Sequence, residues 1–363
     1  MLDPLGIYSV DEVTAAQLTT TAAQGLGSTQ SPTSTQGLTS AQNLGSTQDS
    51  TPVQGLSSTQ ASPQGPRGGQ GPVLIHALRG YVDAGSVAQV ASQHVLSTMD
   101  VSRLVTFDID QLLDYRSKRP LMEFDADRWS QYEDPFLAID YVHDGEGNPF
   151  LMLHGSEPDL QWERVVAAII ELINRFDVSL VVGFHGIPMG VPHTRPLTLT
   201  AHGTRAGLTE DYTSFFGTVK VPSSLGGLLE YRLGEGNHDA MGFAIHVPHY
   251  VSQTQYPPAA VTALQHVERA TGLELRTERL AVEGSEITAA IENEVRESRE
   301  IGAVIKALEE AYDRFASQVG TPGRIIDADG PLPSAEELAA EFEKFLAEAD
   351  GQGDEELPTL GGF

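Results

Sequence analysis

VLIHALRGYVDAGSVAQVASQHVLSTM, Val73–Met99, decides the fold. Its first seven residues are an apolar run bounded by Pro72 and Gly80, the pattern of a buried strand. From Asp83 to Met99 the spacing changes, so that Val87, Val90, Ala91 and Val95 share one helical face. A strand that turns at once into a helix is the repeating unit of an α/β protein.

The alternation continues along the chain. RLVTFDI from Arg103 reads as a strand, and FLAIDYVH and FLMLHG, joined by the Gly and Asn-rich DGEGNP, read as a hairpin. GSEPDLQW opens a helix to Phe176, with Pro158 in its first turn. VSLVVGF from Val178 is a buried strand, and the segment after it, down to Pro196, reads as a proline-stiffened loop. PLTLTAHG and MGFAIHVP are further strands. SSLGGLLEYRLGEG and PPAAVTALQHVERATG are helices that stop at glycine, and Glu283–Val319 is one long helix or a helical hairpin. DYRSKRPLMEFDADRWSQYEDP reads as irregular and polar. Strands that are near-continuously apolar predict a buried, mostly parallel sheet, made mixed by the one hairpin.

The two ends have another composition. Between residues 17 and 70 the chain is dominated by Ser, Thr, Gln, Gly, Ala and Pro, with the related units QGLGSTQ, QGLTSAQ and QGLSSTQ. One Leu per seven residues supplies no coiled-coil seam and too little apolar surface to offset the entropy of ordering, so this segment is expected to be disordered. Eleven acidic residues lie between Asp327 and Glu356, and only Pro333–Asp350 has helical spacing, with Leu338, Phe342, Phe345 and Leu346 on one side and Ser334 as N-cap. The expected organisation is an N-terminal arm (1–16), a repeat segment (17–70), an α/β core (71–275), a helical appendage (276–319) and a flexible acidic tail with one short helix (320–363).

The 363 residues hold 22 Lys and Arg against 50 Asp and Glu, a net charge of −28. Such a field repels nucleic acid and anionic lipid surfaces. There is no cysteine, which excludes disulfides, thiolate catalysis and Cys-ligated zinc. MLDPLGIYSVDEV lacks the basic and apolar regions of a secretory leader, and no apolar run reaches the ~20 residues of a membrane span. A cytoplasmic protein with no nucleic-acid or membrane partner is the expectation.

Four segments are candidates for chemistry. Gly80, Asp83, Gly85 and Ser86 lie where the first strand turns into its helix, a position at which backbone N–H groups receive anions, although neither GxxxxGK[ST] nor GxGxxG is present. The plainer alternative is that Asp83 caps the helix. Arg116 and Arg119 of DYRSKRP suit a carboxylate or phosphate, or else pair with Asp114, Glu123 or Asp125 or with a neighbouring subunit. In GFHGIPMGVPHTRP, His185 and His193 lie eight apart, not at metal-ligand spacing, and no GxSxG elbow exists to make a Ser-His-Asp triad. Arg195 and His193 fit a pocket wall or a contact surface. Finally, Glu230, His238, Asp239, His246 and His249 are candidates to share one rim, and Tyr250 and Tyr256 beside Pro257 and Pro258 have interface character. No metal and no cofactor is implied.

GPVLIHALRGYVDAGSVAQVASQHVL, DYRSKRP, GSEPDLQWERVVAAIIELINRF, GIPMGVPHTRP and LLEYRLGEGNHDAMGFAIHVPHYVSQTQYPPAA, in that order, resemble the actinobacterial branch of the PAC2 family over about Gly71–Val319. The resemblance implies a three-layer αβα sandwich with phosphorylase- or hydrolase-like topology and a C-terminal helical appendage. It also implies action through protein contacts, as an assembly chaperone or scaffold, since members of the family bind proteasome α subunits. The last residues, TLGGF, differ from the hydrophobic-Tyr-X ending of proteasome activators. A homo-oligomer, such as a trimer, is expected. The competing expectation, from the same topology, is a nucleoside or small-metabolite phosphorylase or hydrolase with an anion site at Gly80–Ser86, assisted by Arg195 or Arg116. No residue is carried over as catalytic.

Overall fold

The computed structural model describes residues 3–25, 71–212 and 217–319. Val73–Arg79 is a strand, β2, preceded in the chain by β1 (Tyr8–Val10) and α1 (Glu12–Gly25). The turn after β2 enters α2 (Val87–Thr98), whose buried face carries Val87, Val90, Ala91 and Val95 as the spacing predicts. There follow β3 (Asp100–Phe107), the ribbon of β4 (Met122–Asp125) and β5 (Arg128–Tyr132), the hairpin of β6 (Leu137–His143) and β7 (Pro149–Ser156), and α3 (Trp162–Arg175). Then come β8 (Leu180–Met189), β9 (Leu199–Gly203), α4 (Leu225–Glu235), β10 (Ala240–Pro248), α5 (Pro257–Thr271), α6 (Glu278–Glu297) and α7 (Arg299–Val319).

Eight strands form one sheet in the order β1-β3-β6-β7-β2-β8-β10-β9. Parallel pairing holds the centre, joining β7 to β2, β2 to β8 and β8 to β10. The remaining pairings are antiparallel. The sheet is therefore mixed as expected, but with a larger antiparallel share. The β6–β7 hairpin is extended by β3 and β1 on one side, and β9 returns as the opposite edge. Ile75, Ala77, Val182, Phe184 and Phe243 share a core with α2 and α5, while Leu74, Val181 and Leu153 share another with α3 and α4. Both faces are thus covered, which is why the central strands read as unbroken apolar runs. Truncating a fully buried leucine of these layers, such as Leu229, costs about 2–5 kcal/mol.

Four local readings change, and one open alternative is decided. The N-terminal arm is part of the fold: β1 pairs with β3, Ile7 is fully buried, and α1 runs across the boundary expected at residue 16. The rest of the repeat segment and the acidic tail lie outside the described residues. The irregular polar stretch contains the β4–β5 ribbon. Helix α3 starts at Trp162 rather than at Pro158, because Glu157 and Asp159 serve other segments: Glu157 accepts from Tyr81 N and Leu225 N, Asp159 from Asp114 N. Strand β8 runs on to Met189 because β10 stays paired with it to the end, so His185 is a strand residue. Beyond Gly183 it has lost β2 as a neighbour, a position at which Pro188 is tolerated. Finally, Glu283–Val319 is a helical pair broken at Ser298, whose backbone is extended.

Candidate functional site

The turn from β2 to α2 is filled by its own side chain. Asp83 accepts from Ala88 N at 2.9 Å and 3.2 Å with its two carboxylate oxygens, and from Gly186 N of β8 at 3.4 Å. Burial pushes its carboxyl up to about 6, against the pull of those amides. Gly85 has φ +68°, and its N–H donates to Ser252 O at 2.7 Å while its carbonyl accepts from Tyr256 N at 2.9 Å. Ser86 N donates to Asp83 O. The amides an incoming anion would need are therefore occupied, and the capping alternative holds. Gly85 and Ser86 sit in a packed turn with their amides already bound, and Gly80 packs against Glu157.

The loop after β8 meets the C-terminal helices. Arg195 donates from Nε and Nη2 to the two carboxylate oxygens of Asp313 on α7, each at 2.9 Å, and from Nη1 to Glu309 at 3.2 Å. Thr194 reaches Glu309, and Tyr312 donates to Pro196 O at 2.9 Å. Arg195 is thus a clasp for α7 and not a partner of the Asp83 turn. These carboxylates hold its guanidinium protonated well above its ordinary range. Next to the clasp, His193 N–H donates to Tyr250 Oη at 2.7 Å, and the same hydroxyl meets His193 Nδ1 at 2.7 Å. The direction of this second contact follows the imidazole tautomer, and the ring's other nitrogen is Nε2. That atom is buried and has no partner among the described residues. Burial lowers the His193 and His249 imidazoles and raises the Tyr250 hydroxyl. Tyr256, read as interface material, is 1% exposed and belongs to the core.

His185 and Glu230 meet a group that the sequence reading missed. On the α4 side of the sheet, the register lines up His76, Gly183, Gly242 and His202 across β2, β8, β10 and β9. The two glycines exist to hold the two rings: a Cβ on Gly183 would lie 2.1 Å from His76 Nε2, and one on Gly242 2.3 Å from His202 Cε1. His185 lies two residues beyond Gly183 on β8. Glu230 of α4 pairs with His202 Nδ1 at 2.8 Å. His246 is bracketed by Thr198 at 2.8 Å and Thr200 at 2.9 Å. Burial, with repulsion from neighbouring imidazoles, holds His76 and His185 down at about 4, and burial alone does so for His246. The expected rim of Glu230, His238, Asp239, His246 and His249 does not form. Asp239 and His249 flank opposite ends of β10, and Asp239 pairs with Arg205 at 2.8 Å. Among the described residues no group of three His, Asp or Glu side chains is arranged to hold a metal ion.

Arg116 pairs with Asp114 at 3.1 Å on the surface, the local alternative, and Arg119 is exposed. Both lead into the β4–β5 ribbon. Its pairing sets Met122 opposite Tyr132 and Phe124 opposite Trp129, with an irregularity between Glu123 and Phe124. That bulge brings Trp129 and Tyr132, three residues apart, to the same face as Met122 and Phe124. All four are exposed, and Phe124 meets Trp129 edge-on at 5.0 Å. No helix among the described residues is long and apolar enough to cross a membrane.

The comparisons agree with this architecture. The PAC2 family model matches residues 77–295. A protein of unknown function from Mycobacterium tuberculosis is 42% identical, with a TM-score of 0.67 over 72% of this chain and 88% of that one. One of unknown function from Corynebacterium glutamicum is 34% identical, with a TM-score of 0.65 over 72% and 97%. A Mycobacterium tuberculosis proteasome-assembly chaperone homologue, 22% identical, shares the fold with a TM-score of 0.59 over 64% and 99%. No curated protein matches the chain. The matched span runs from inside β2 to inside α6 and takes in the parallel centre of the sheet, the ribbon and the clasped loop, and the chain belongs to the PAC2 family.

Proposed function

We propose that this PAC2-family protein works through protein–protein contacts, as an assembly chaperone or scaffold in the cytoplasm, and that it self-associates. The observation that carries this reading is the β4–β5 ribbon. An isolated two-stranded ribbon is marginal in water, and every residue of this one is exposed on both faces. One of those faces is made of Met122, Phe124, Trp129 and Tyr132, the side-chain types that anchor interfaces. The kinship in fold with a proteasome-assembly chaperone homologue supports proteasome α subunits as the partner class. Against the phosphorylase or hydrolase alternative stands the Asp83 carboxylate, which occupies the amides that a substrate phosphate would use.

Sedimentation velocity of the full chain with purified proteasome α subunits tests the partner. Co-sedimentation that is lost in Trp129→Asp is the expected result. Independent sedimentation of the two at every ratio contradicts the proteasome assignment.

A further inference from the structure

Arg79 is the last residue of β2, one position before the turn that the sequence marks as an anion site. Its Nη2 reaches Ser156 Oγ at 3.5 Å, its guanidinium carbon lies 5.7 Å from the centre of the Phe136 ring, and no carboxylate pairs with it among the described residues. Arg103 of β3 approaches the same ring at 5.8 Å. Its Nε donates to Asp140 Oδ1, and the other oxygen of Asp140 is taken by His154 Nε2 at 2.7 Å. The Phe136 ring meets His154 edge-on at 5.2 Å.

The strands build this arrangement. Ser156 N donates to Phe136 O at 2.7 Å, and Ser156 is in register with Arg79, so Phe136, one residue before β6, stands in a row with Ser156 of β7 and Arg79 of β2. Asp140, His154 and Ser156, at 3–5% exposure, form a buried floor. Asp140 is satisfied twice, so it fixes Arg103 without neutralising Arg79. The terminal nitrogens of Arg103 make no hydrogen bond to any described residue, and Arg79 has only the long contact to Ser156. Two guanidinium groups beside one ring, with a single carboxylate between them, leave positive charge and unused donors at one place in a chain of net charge −28.

We propose that Arg79 and Arg103, held against Phe136 above the Asp140–His154–Ser156 floor, bind a small oxyanion, the phosphate or carboxylate group of a metabolite. A guanidinium presents a planar fork that matches two oxygens of either group, and an adjacent ring that excludes water strengthens the contact. The acidic surface elsewhere repels such ligands, so the local pair must supply the attraction. The site is separate from the ribbon and stands whether or not the ribbon binds a partner.

Thermal unfolding of the full chain in inorganic phosphate, in citrate and in sodium chloride at matched ionic strength tests it, because a ligand stabilises the state that binds it. Phosphate or citrate should raise the midpoint above matched chloride, and the anion with the larger excess identifies the group recognised. Arg79→Gln should remove the excess, and Arg79→Lys, which keeps the charge but not the fork, should reduce it. If Arg79→Gln does not fold, equilibrium dialysis of that anion against wild type and Arg79→Lys reads the same loss directly. Equal midpoints in all three salts, an excess kept by Arg79→Gln, or undiminished binding by Arg79→Lys overturns the proposal.

Discussion

Arg195 and Asp313 face each other across the seam between the loop after β8 and α7, joined by two parallel hydrogen bonds of 2.9 Å. This bidentate contact, with Glu309 beside it, ties the C-terminal helix to the sheet. Arg195→Ala should therefore raise amide exchange across Arg299–Val319 and leave protection of β2 and β8 unchanged. The pairing with Arg195 lowers the Asp313 carboxyl, so the clasp is present at neutral pH and lost as pH falls through that depressed value. Exchange in α7 that is identical in wild type and variant would contradict the clasp.

Tyr250→Phe should destabilise the fold by about 1–3 kcal/mol, since it strips His193 N–H and Nδ1 of their shared partner in a buried place. Urea unfolding measures it. A loss under a few tenths of a kcal/mol would mean that water replaces the hydroxyl.

Gly183→Ala should cost roughly 1–3 kcal/mol by overpacking, because its new methyl falls on the His76 ring. In Gly183→Ala with His76→Ala the second change should recover part of that loss. Additive losses would show that the ring and the glycine are energetically independent.

Four histidines oppose one aspartate in the acid stability of the fold. His76, His185, His246 and His266 are held at about 4, below the ordinary 6.5, so the unfolded chain takes up protons first and stability falls as pH drops from 6.5 towards 4. Asp83, raised from 3.8 to about 6, acts in the other direction: its contribution is full below 3.8 and is lost as pH rises through 6. Four against one leaves a net uptake of protons on unfolding near pH 5, so these groups together make the fold less stable as pH falls through that range. Urea midpoints across this range check the slope. Asp83→Asn should steepen it, and a flat profile would contradict these assignments.

The alternation of apolar runs and helical spacing made the α/β class, α2, α5 and the β6–β7 hairpin legible in the sequence, because both follow from local periodicity. What escaped depends on register between distant strands. Nothing near His76 in the chain announces that Gly183 and Gly242 make room for two imidazoles, yet a glycine inside an otherwise apolar strand is a signal of close approach that could have been followed. Arg195 was legible as important but not in its task, since its partners lie more than a hundred residues away on α7. The ribbon was hidden by a bulge that breaks its two-residue alternation. The arm escaped because β1 is only three residues long.

Light scattering coupled to size exclusion tests most directly the central claim that the chain self-associates through the Met122–Phe124–Trp129–Tyr132 face. The wild-type mass should be a multiple of the 39.0 kDa chain, and folded Trp129→Asp with Phe124→Ser should have a single-chain mass. A wild-type protein that is monomeric at all concentrations, or an oligomer that survives the double substitution unchanged, would contradict it.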